Sequence, residues 1–459
     1  MDIVLFGLGQ TYKENKGRLS ENDQVVALLD NNQETWGTKI DGIVVREPAQ
    51  IQEIRYDKIV LMSVYASEMR QQLLALGCKA RDIVHYKEYI CGLSAWEMEV
   101  KLARKKPSIS DKRCLIITTE LGYNGGSIVA IYAAQALQLR GYTTVIATPG
   151  GNQAFLEEMR KLGISFIIYK NLAYARREEL FWVNDFQFVI VNTLQMICCA
   201  IELAKIQKVI LWLHEFEEIY RQMSYWKDKI QNAIIGKTLS IYGVSQIAKR
   251  NFLKNYLVDK VGILPYGIPD GYVSRTFRKN KKLVFAMIGA IYDVKGQDVF
   301  IDAIEAMAGR SNQAVFWIIG KNNSKTSYGH LIEKRIEKYA NIRMFGELNR
   351  EQLFRCYDDI DIFVIPSRYE TMSLVATEAM MLGKVCIVSD TVGMGDYIQN
   401  YVNGLIFKSG SSQGLSREML WCMEHSDKLQ EIGRCARRTY ESNFTLDQFG
   451  KRLEEEMLR

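Results

Sequence analysis

The feature that most constrains this chain is a long alternation of short apolar runs with segments of helical period. Runs at 3–6, 25–29 and 58–62 open it. A second series follows at 115–118, 144–147, 165–169, 186–191, 209–213, 239–244 and 261–264, and a third at 283–288, 314–319, 342–345, 362–365, 385–388 and 405–407. Runs of this length bounded by turn residues read as strands buried on both faces, the pattern of parallel sheets covered by helices. Strands that alternate with helices wind into α/β domains through right-handed crossovers. The expectation is therefore an α/β chain with a small Rossmann-like domain at 1–92 and two facing Rossmann-like domains at 112–268 and 269–435. A basic segment at 93–111, read as helical, links the first two, with the domain boundary near Pro107 to Asp111. The amphipathic helix at 436–459 is expected to bridge back to the middle domain.

Composition narrows what such a chain does. With 48% apolar and 24% charged residues and only six prolines, disordered and fibrous classes are excluded. A net charge of +6 from 59 basic and 53 acidic residues does not suit a dedicated nucleic-acid binder, and leaves anionic substrates or membrane surfaces open. The nine cysteines lack CxxC spacing, which argues against a disulfide framework and a zinc site and fits a reducing cytoplasm. Asp2 stands where a signal peptide carries basic residues, and no apolar run reaches the length of a span. The expected location is cytoplasmic, with any membrane contact peripheral and at the inner face.

In open α/β sheets ligands bind beyond the carboxyl ends of the strands, so the loops there carry the argument. In the first domain Gly7 and Gly9 follow the first strand and Asp30 ends the second. Such an arrangement holds a phosphate and a ribose when a nucleotide is bound; without a third glycine it equally serves a structural or oligomerising domain. In the middle domain Gly125 and Gly126 join a strand to a helix, where backbone approaches an anion closely. His214 stands at the exit of the 209–213 strand. The stretch Tyr220 to Lys229, with Trp226, reads either as a helix packed in the core or as a lipid contact at an acceptor site.

The last domain is richer. After the 362–365 strand come Glu370 and Glu378, with seven residues between them and about 12 Å of helix expected from one to the other. Between them the backbone N–H groups of Met372, Ser373, Leu374 and Val375 open a helix, where anionic phosphate is favoured. Gly289 and Lys295 lie in the loop after the 283–288 strand, and a lysine there offers a point charge to a diphosphate. Phe345, in Phe345-Gly346-Glu347-Leu348, follows a central strand where a nucleotide base is read.

The run from Pro366 to Met380, with Gly383-Lys384-Val385 and Asn403-Gly404-Leu405, resembles the Glu-x7-Glu signature of retaining glycosyltransferases of the GT-B fold (family 4-like, group 1). The resemblance extends in order over 112–459. The first ninety residues, with Leu29-Asp30-Asn31-Asn32, Gly37 and Gly42, resemble the small Rossmann-like domains of bacterial polysaccharide-biosynthesis proteins. The family resemblance implies a nucleoside-diphosphate-sugar donor, and because Asp359-Ile360-Asp361 lies inside a strand start and no Asp-x-Asp motif is positioned as in metal-using transferases, no metal or other cofactor is expected. It further implies a glycan or lipid-linked sugar acceptor, no nucleic acid, and a role in cell-surface polysaccharide synthesis. It assigns Glu370 to the donor sugar, Glu378 to ribose hydroxyls, Lys295 to the departing diphosphate, Gly125 and Gly126 to the loop beneath the phosphates, and His214 to the reacting sugar. The family's arginine after the first glycine is Ala290 here, so a second phosphate cation must come from elsewhere, with Lys321 and Arg368 as candidates. That departure and the extra domain keep open a non-catalytic nucleotide-sugar-binding subunit. The first domain can also be read as a homo-oligomer contact or a nicotinamide-binding module.

Overall fold

The computed structural model describes residues 1–93, 97–104, 111–236, 239–271, 282–307, 309–322 and 326–459. Three sheets follow one another along the chain. The first contains β1 (Asp2–Phe6), β2 (Gln24–Leu29), β3 (Lys39–Ile40), β4 (Ile43–Arg46), β5 (Lys58–Leu61) and β6 (Ile83–His85), in the order β3-β4-β2-β1-β5-β6. The second contains β7 (Met98–Lys101), β8 (Arg113–Ile117), β9 (Thr143–Thr148), β10 (Ser165–Tyr169), β11 (Phe188–Val191), β12 (Val209–Leu213), β13 (Leu239–Gly243) and β14 (Gly262–Ile263). Its order is β14-β13-β12-β11-β8-β9-β10-β7. The third contains β15 (Leu283–Ile288), β16 (Ala314–Ile319), β17 (Ile342–Gly346), β18 (Ile362–Ile365), β19 (Val385–Ser389) and β20 (Leu405–Phe407), in the order β17-β16-β15-β18-β19-β20.

In the third sheet the chain runs outward from β15 to β17, then crosses to β18 and runs the other way. Its strand order reverses between β15 and β18, and the second sheet reverses likewise between β8 and β11. At such points adjacent loops splay apart beyond the strand ends and leave a crevice for a ligand. This is the GT-B architecture, two Rossmann-like domains, carrying an additional small α/β domain at the N-terminus.

One segment departs from the sequence reading. Met98–Lys101, in the stretch expected to be helical, is a strand paired antiparallel with β10, Lys101 opposite Phe166 and Met98 opposite Tyr169. Backbone N–H and C=O groups along the open edge of β10 need partners, and pairing there satisfies both strands. Residues 105–110, with Lys105, Lys106 and Pro107, lie outside the described residues.

The single helix expected at 436–459 is instead divided at Phe444, because Thr445 caps a new helix, and the two resulting helices lock the large domains together. Leu429–Asn443 packs on Leu374–Met381 of the third domain, and Leu446–Leu458 on Gly125–Leu139 of the second. Buried Ala133, Ala376, Tyr440 and Phe449 belong to one continuous apolar cluster across all four helices. Glu454 takes the Arg140 guanidinium at 2.8 Å. The chain crosses between domains twice, and the crossings touch: Ile268 N–H donates to Phe444 O at 2.8 Å.

The N-terminal domain docks on the helices that follow β12. Trp226, 4% exposed, donates from Nε1 to Glu88 at 2.8 Å, and its ring centroid lies 4.6 Å from that of His85. Tyr225 donates its hydroxyl to Ile83 O. This overturns the lipid-contact reading of Tyr220 to Lys229: Tyr220 and Trp226 are buried, and the N-terminal domain covers the Trp226 ring. Among the described residues no helix is long and apolar enough to cross a membrane.

Candidate functional site

Two loops at the β15/β18 switch point build the donor-side wall. The one after β15 carries a short 3₁₀ turn, Asp293–Lys295, ended by Gly296 in the left-handed region at φ +76°. A Cβ on Gly296 would lie 2.3 Å from Pro366 O in the neighbouring loop, so only glycine lets these backbones approach. Arg368 N–H donates to Val294 O at 2.8 Å and ties the loops together. The result brings Lys295 Nζ to 3.1 Å from Glu370 Oε2.

Glu370 is held on three sides. Its carboxylate accepts the Ser367 hydroxyl at 2.8 Å, its N–H donates to Thr391 O at 3.2 Å, and its carbonyl accepts from Gly393 N–H at 2.9 Å. It does not stand on the helix, as the 12 Å spacing assumed. The helix begins at Leu374 with Ser373 as its cap, because the Ser373 hydroxyl accepts the Ala376 N–H and the bridge to Val392 keeps Glu370 extended.

Glu378 lies one turn into that helix and is half-buried. Tyr357 donates its hydroxyl to the carboxylate at 2.5 Å, and burial raises the Glu378 pKa against the opposing effects of Tyr357 and the Arg350 guanidinium. Arg350 in turn hydrogen-bonds the Tyr132 hydroxyl, which belongs to the second domain.

The second domain supplies the facing wall. Asn124 caps the helix Gly125–Leu139 by accepting the Ser127 N–H at 3.0 Å. A Cβ on Gly125 would lie 3.5 Å from Leu374 Cδ1, so this helix start faces the start of Leu374–Met381 across the domain boundary. Among the described residues no acceptor meets the N–H groups of Gly125, Gly126, Leu374 or Val375. Two helix N-termini with orphan donors thus converge, and both dipoles favour negative charge between them.

His214 sits at the same boundary. Its carbonyl accepts the Thr371 hydroxyl at 2.8 Å, and its ring packs edge-on to Trp212 at 4.4 Å. Its Nε2 is buried with no partner among the described residues. Burial lowers the ring's pKa to about 3, so at neutral pH it is an uncharged imidazole with one open hydrogen-bonding nitrogen. Glu215 braces it: this buried carboxylate accepts the His214 N–H at 2.9 Å, the Leu194 N–H at 2.7 Å and the Thr193 hydroxyl. Burial raises the Glu215 pKa.

Other expected residues lie elsewhere or are engaged. Arg368 makes a two-pronged ion pair with Asp298 at 2.5 and 2.9 Å, so it is committed within the protein and does not replace the cation missing at Ala290. Lys321, in the loop after β16, is exposed and lies 3.7 Å from Glu347. Phe345 lies within the edge strand β17, not after a central strand as expected, and packs 4.9 Å from Trp317 with the Arg343 guanidinium over its ring. Gly289 stays beside Lys295: a Cβ on it would lie 3.8 Å from that side chain. In the first domain Asp30 clamps the Gly7–Gly9 turn with one oxygen, which accepts the Leu8 N–H at 2.6 Å, and holds its own loop with the other, which accepts the Asn32 N–H at 2.8 Å.

Sequence reasoning passed over Glu215, Thr371 and Tyr132. An acidic residue directly after the strand-end histidine was a visible signal for the first. The other two act through contacts between segments more than a hundred residues apart, which leave no local pattern.

Comparison with known proteins agrees with this fold. Residues 273–439 match the family model "Glycosyl transferases group 1", and residues 1–84 match "C2185-like, N-terminal". A glycogen synthase of Thermodesulfovibrio yellowstonii is 24% identical over 37% of this chain and 33% of its own length. A poly(ribitol-phosphate) alpha-N-acetylglucosaminyltransferase of Staphylococcus aureus is 22% identical over 46% of this chain and 42% of its own. The chain thus spans less than half the length of these two curated relatives. The crystal structure of Anabaena Alr3699/HepE in complex with UDP and glucose superposes with a TM-score of 0.63 at 16% identity, covering 75% of this chain and 99% of that one. By fold the chain is a GT-B protein, and by sequence its C-terminal domain is related to the glycosyl transferases group 1.

Proposed function

We propose that the chain is a retaining glycosyltransferase that moves a sugar from a nucleoside-diphosphate-sugar to a hydroxyl of a glycan or lipid-linked acceptor, in the synthesis of a cell-surface polysaccharide. The observation that carries this reading is the convergence of two helix N-termini, one from each domain, beside the Lys295–Glu370 pair. Orphan N–H groups of Gly125, Gly126, Leu374 and Val375 receive the diphosphate, and Lys295 turns from Glu370 to the leaving oxygens, where negative charge grows as the bond breaks. Glu370, released from the lysine, accepts hydroxyls of the donor sugar. Glu378 does the same for the ribose, and the end of β17 at Phe345, with the loop that follows it, lies against the base.

His214 Nε2 faces the sugar as a neutral hydrogen-bond donor, held in place by Glu215. Among the described residues the carboxylates at this point of the cleft are Glu370, tied to the donor side, and Glu215, turned to the N–H groups of His214 and Leu194 and to the Thr193 hydroxyl, so neither is placed as a nucleophile. The acceptor hydroxyl therefore attacks from the face that the diphosphate leaves, with closure of the domains excluding water. The experiment is a thermal-unfolding screen against nucleoside-diphosphate-sugars. A true donor at about a hundredfold over its Kd adds about 2.7 kcal/mol of stability. Absence of stabilisation by every common nucleotide-sugar contradicts the reading.

A further inference from the structure

A cavity of about 710 Å³ lies between the N-terminal domain and the second domain, away from the cleft just described. Its volume is that of a small-molecule pocket, and domain interfaces are where such pockets concentrate. Val84 and Glu88 line it from the N-terminal domain, and Tyr174, Arg177, Cys198 and Lys229 from the second.

The charges on its wall are unevenly engaged. Glu202 is held by Lys205 at 2.5 Å, Glu179 accepts the Arg176 N–H at 2.8 Å, and Glu88 accepts the Trp226 indole at 2.8 Å. Arg176, Arg177 and Lys229, on the same wall, have no carboxylate partner among the described residues. Guanidinium forks and an ammonium left open in this way recognise phosphate or carboxylate. Four acidic side chains nevertheless balance the four basic ones around the cavity, which disfavours a bare anion. A ligand that also carries hydroxyls satisfies both sets, because carboxylates accept hydroxyl hydrogens while the cations hold the anionic group. The half-buried Tyr174 ring, backed by Trp226 at 5.6 Å, gives the flat face on which a sugar's C–H edge packs.

We propose that this cavity binds an anionic carbohydrate, a sugar or polyol bearing phosphate or carboxylate, between the N-terminal domain and the second domain. Its position links it to the cleft. The turn that leaves Thr193, whose hydroxyl bonds Glu215 beside His214, reaches Cys198 on the cavity wall five residues later, about 10 Å at the rise of a 3₁₀ helix. The ligand is then either a remote unit of the acceptor chain or a separate sugar phosphate. This binding does not depend on the transferase reading, and its test needs no turnover.

The test is isothermal titration of the full chain with glucose 6-phosphate, tetragalacturonate, glucose and inorganic phosphate, repeated on R177A/K229A and on E370A. Both substituted cations are exposed, so the double variant is expected to fold, with circular dichroism as the check. Binding of at least one anionic carbohydrate is expected, with glucose and phosphate weaker, a loss of about tenfold or more in R177A/K229A, and no change in E370A. Preference for tetragalacturonate identifies a chain subsite, and preference for glucose 6-phosphate a free sugar phosphate. Anionic carbohydrates that bind no better than glucose, or equally well to R177A/K229A, overturn the proposal.

Discussion

Lys295 Nζ stands 3.1 Å from Glu370 Oε2, across two loops that leave adjacent strands at the point where the strand order reverses. The pair is partly solvent-exposed, at 32% and 19%, and an ion pair in that setting contributes about 1 kcal/mol or less to folding. The Gly296 and Arg368 contacts that hold the pair in place therefore serve the cleft more than the fold. Lys295→Ala and Glu370→Ala are expected to melt within a few degrees of the parent while losing about 10²- to 10³-fold in kcat. Paired melting and steady-state measurements check this.

Gly296 is the residue that lets the two loops meet. Alanine there combines a left-handed backbone with a Cβ 2.3 Å from Pro366 O, a contact the neighbouring backbone cannot relieve. Gly296→Ala should destabilise by about 1–3 kcal/mol, read from the midpoint of urea unfolding. It should also lower turnover beyond what the lost stability explains, since Lys295 moves with the loop.

Trp226 fastens the N-terminal domain. Trp226→Ala removes a buried ring and leaves Glu88 without its donor, at a cost of about 3–5 kcal/mol. Limited proteolysis should then cut the chain ahead of β7, releasing the first domain while the remainder stays intact. A variant that resists cleavage as the parent does contradicts this docking.

His85 gives the docking a pH dependence. Burial lowers its pKa to about 3, whereas the unfolded ring titrates near 6.5. Between those values the unfolded chain binds the proton and the folded chain does not, so stability is full above about pH 6.5 and falls as the pH drops, by at most about 1.4 kcal/mol per unit. His85→Phe should flatten that acid limb relative to the parent; parallel slopes in the two proteins count against it.

Much of the fold was legible in the chain. Parallel strands buried on both faces leave uninterrupted apolar runs, such as Ile362-Phe363-Val364-Ile365, and these mark the three sheets. The strand exits followed, and with them the loops that hold Lys295 and Glu370. What stayed hidden has a common cause. Met98–Lys101 becomes a strand only because β10 offers an open edge more than sixty residues away, and the start of the Glu378 helix is set by the Ser373 cap and the bridge from Glu370 to Val392. The docking of Trp226 on Glu88 and the bond of Arg350 to Tyr132 likewise join residues far apart in sequence. Local periodicity reports burial, not the partner that provides it.

The central claim is that the two facing helix starts and Lys295 receive a sugar diphosphate for transfer. It is tested most directly by incubating the purified full chain with the nucleotide-sugar that best stabilises it and following release of nucleoside diphosphate, with and without glycan or lipid-linked acceptors. Release that is stimulated by an acceptor, yields a product with the donor's anomeric configuration and falls about 10²- to 10³-fold in Lys295→Ala and Glu370→Ala is the predicted result. Undiminished release by those variants, or none from a parent chain that binds the donor, would contradict it.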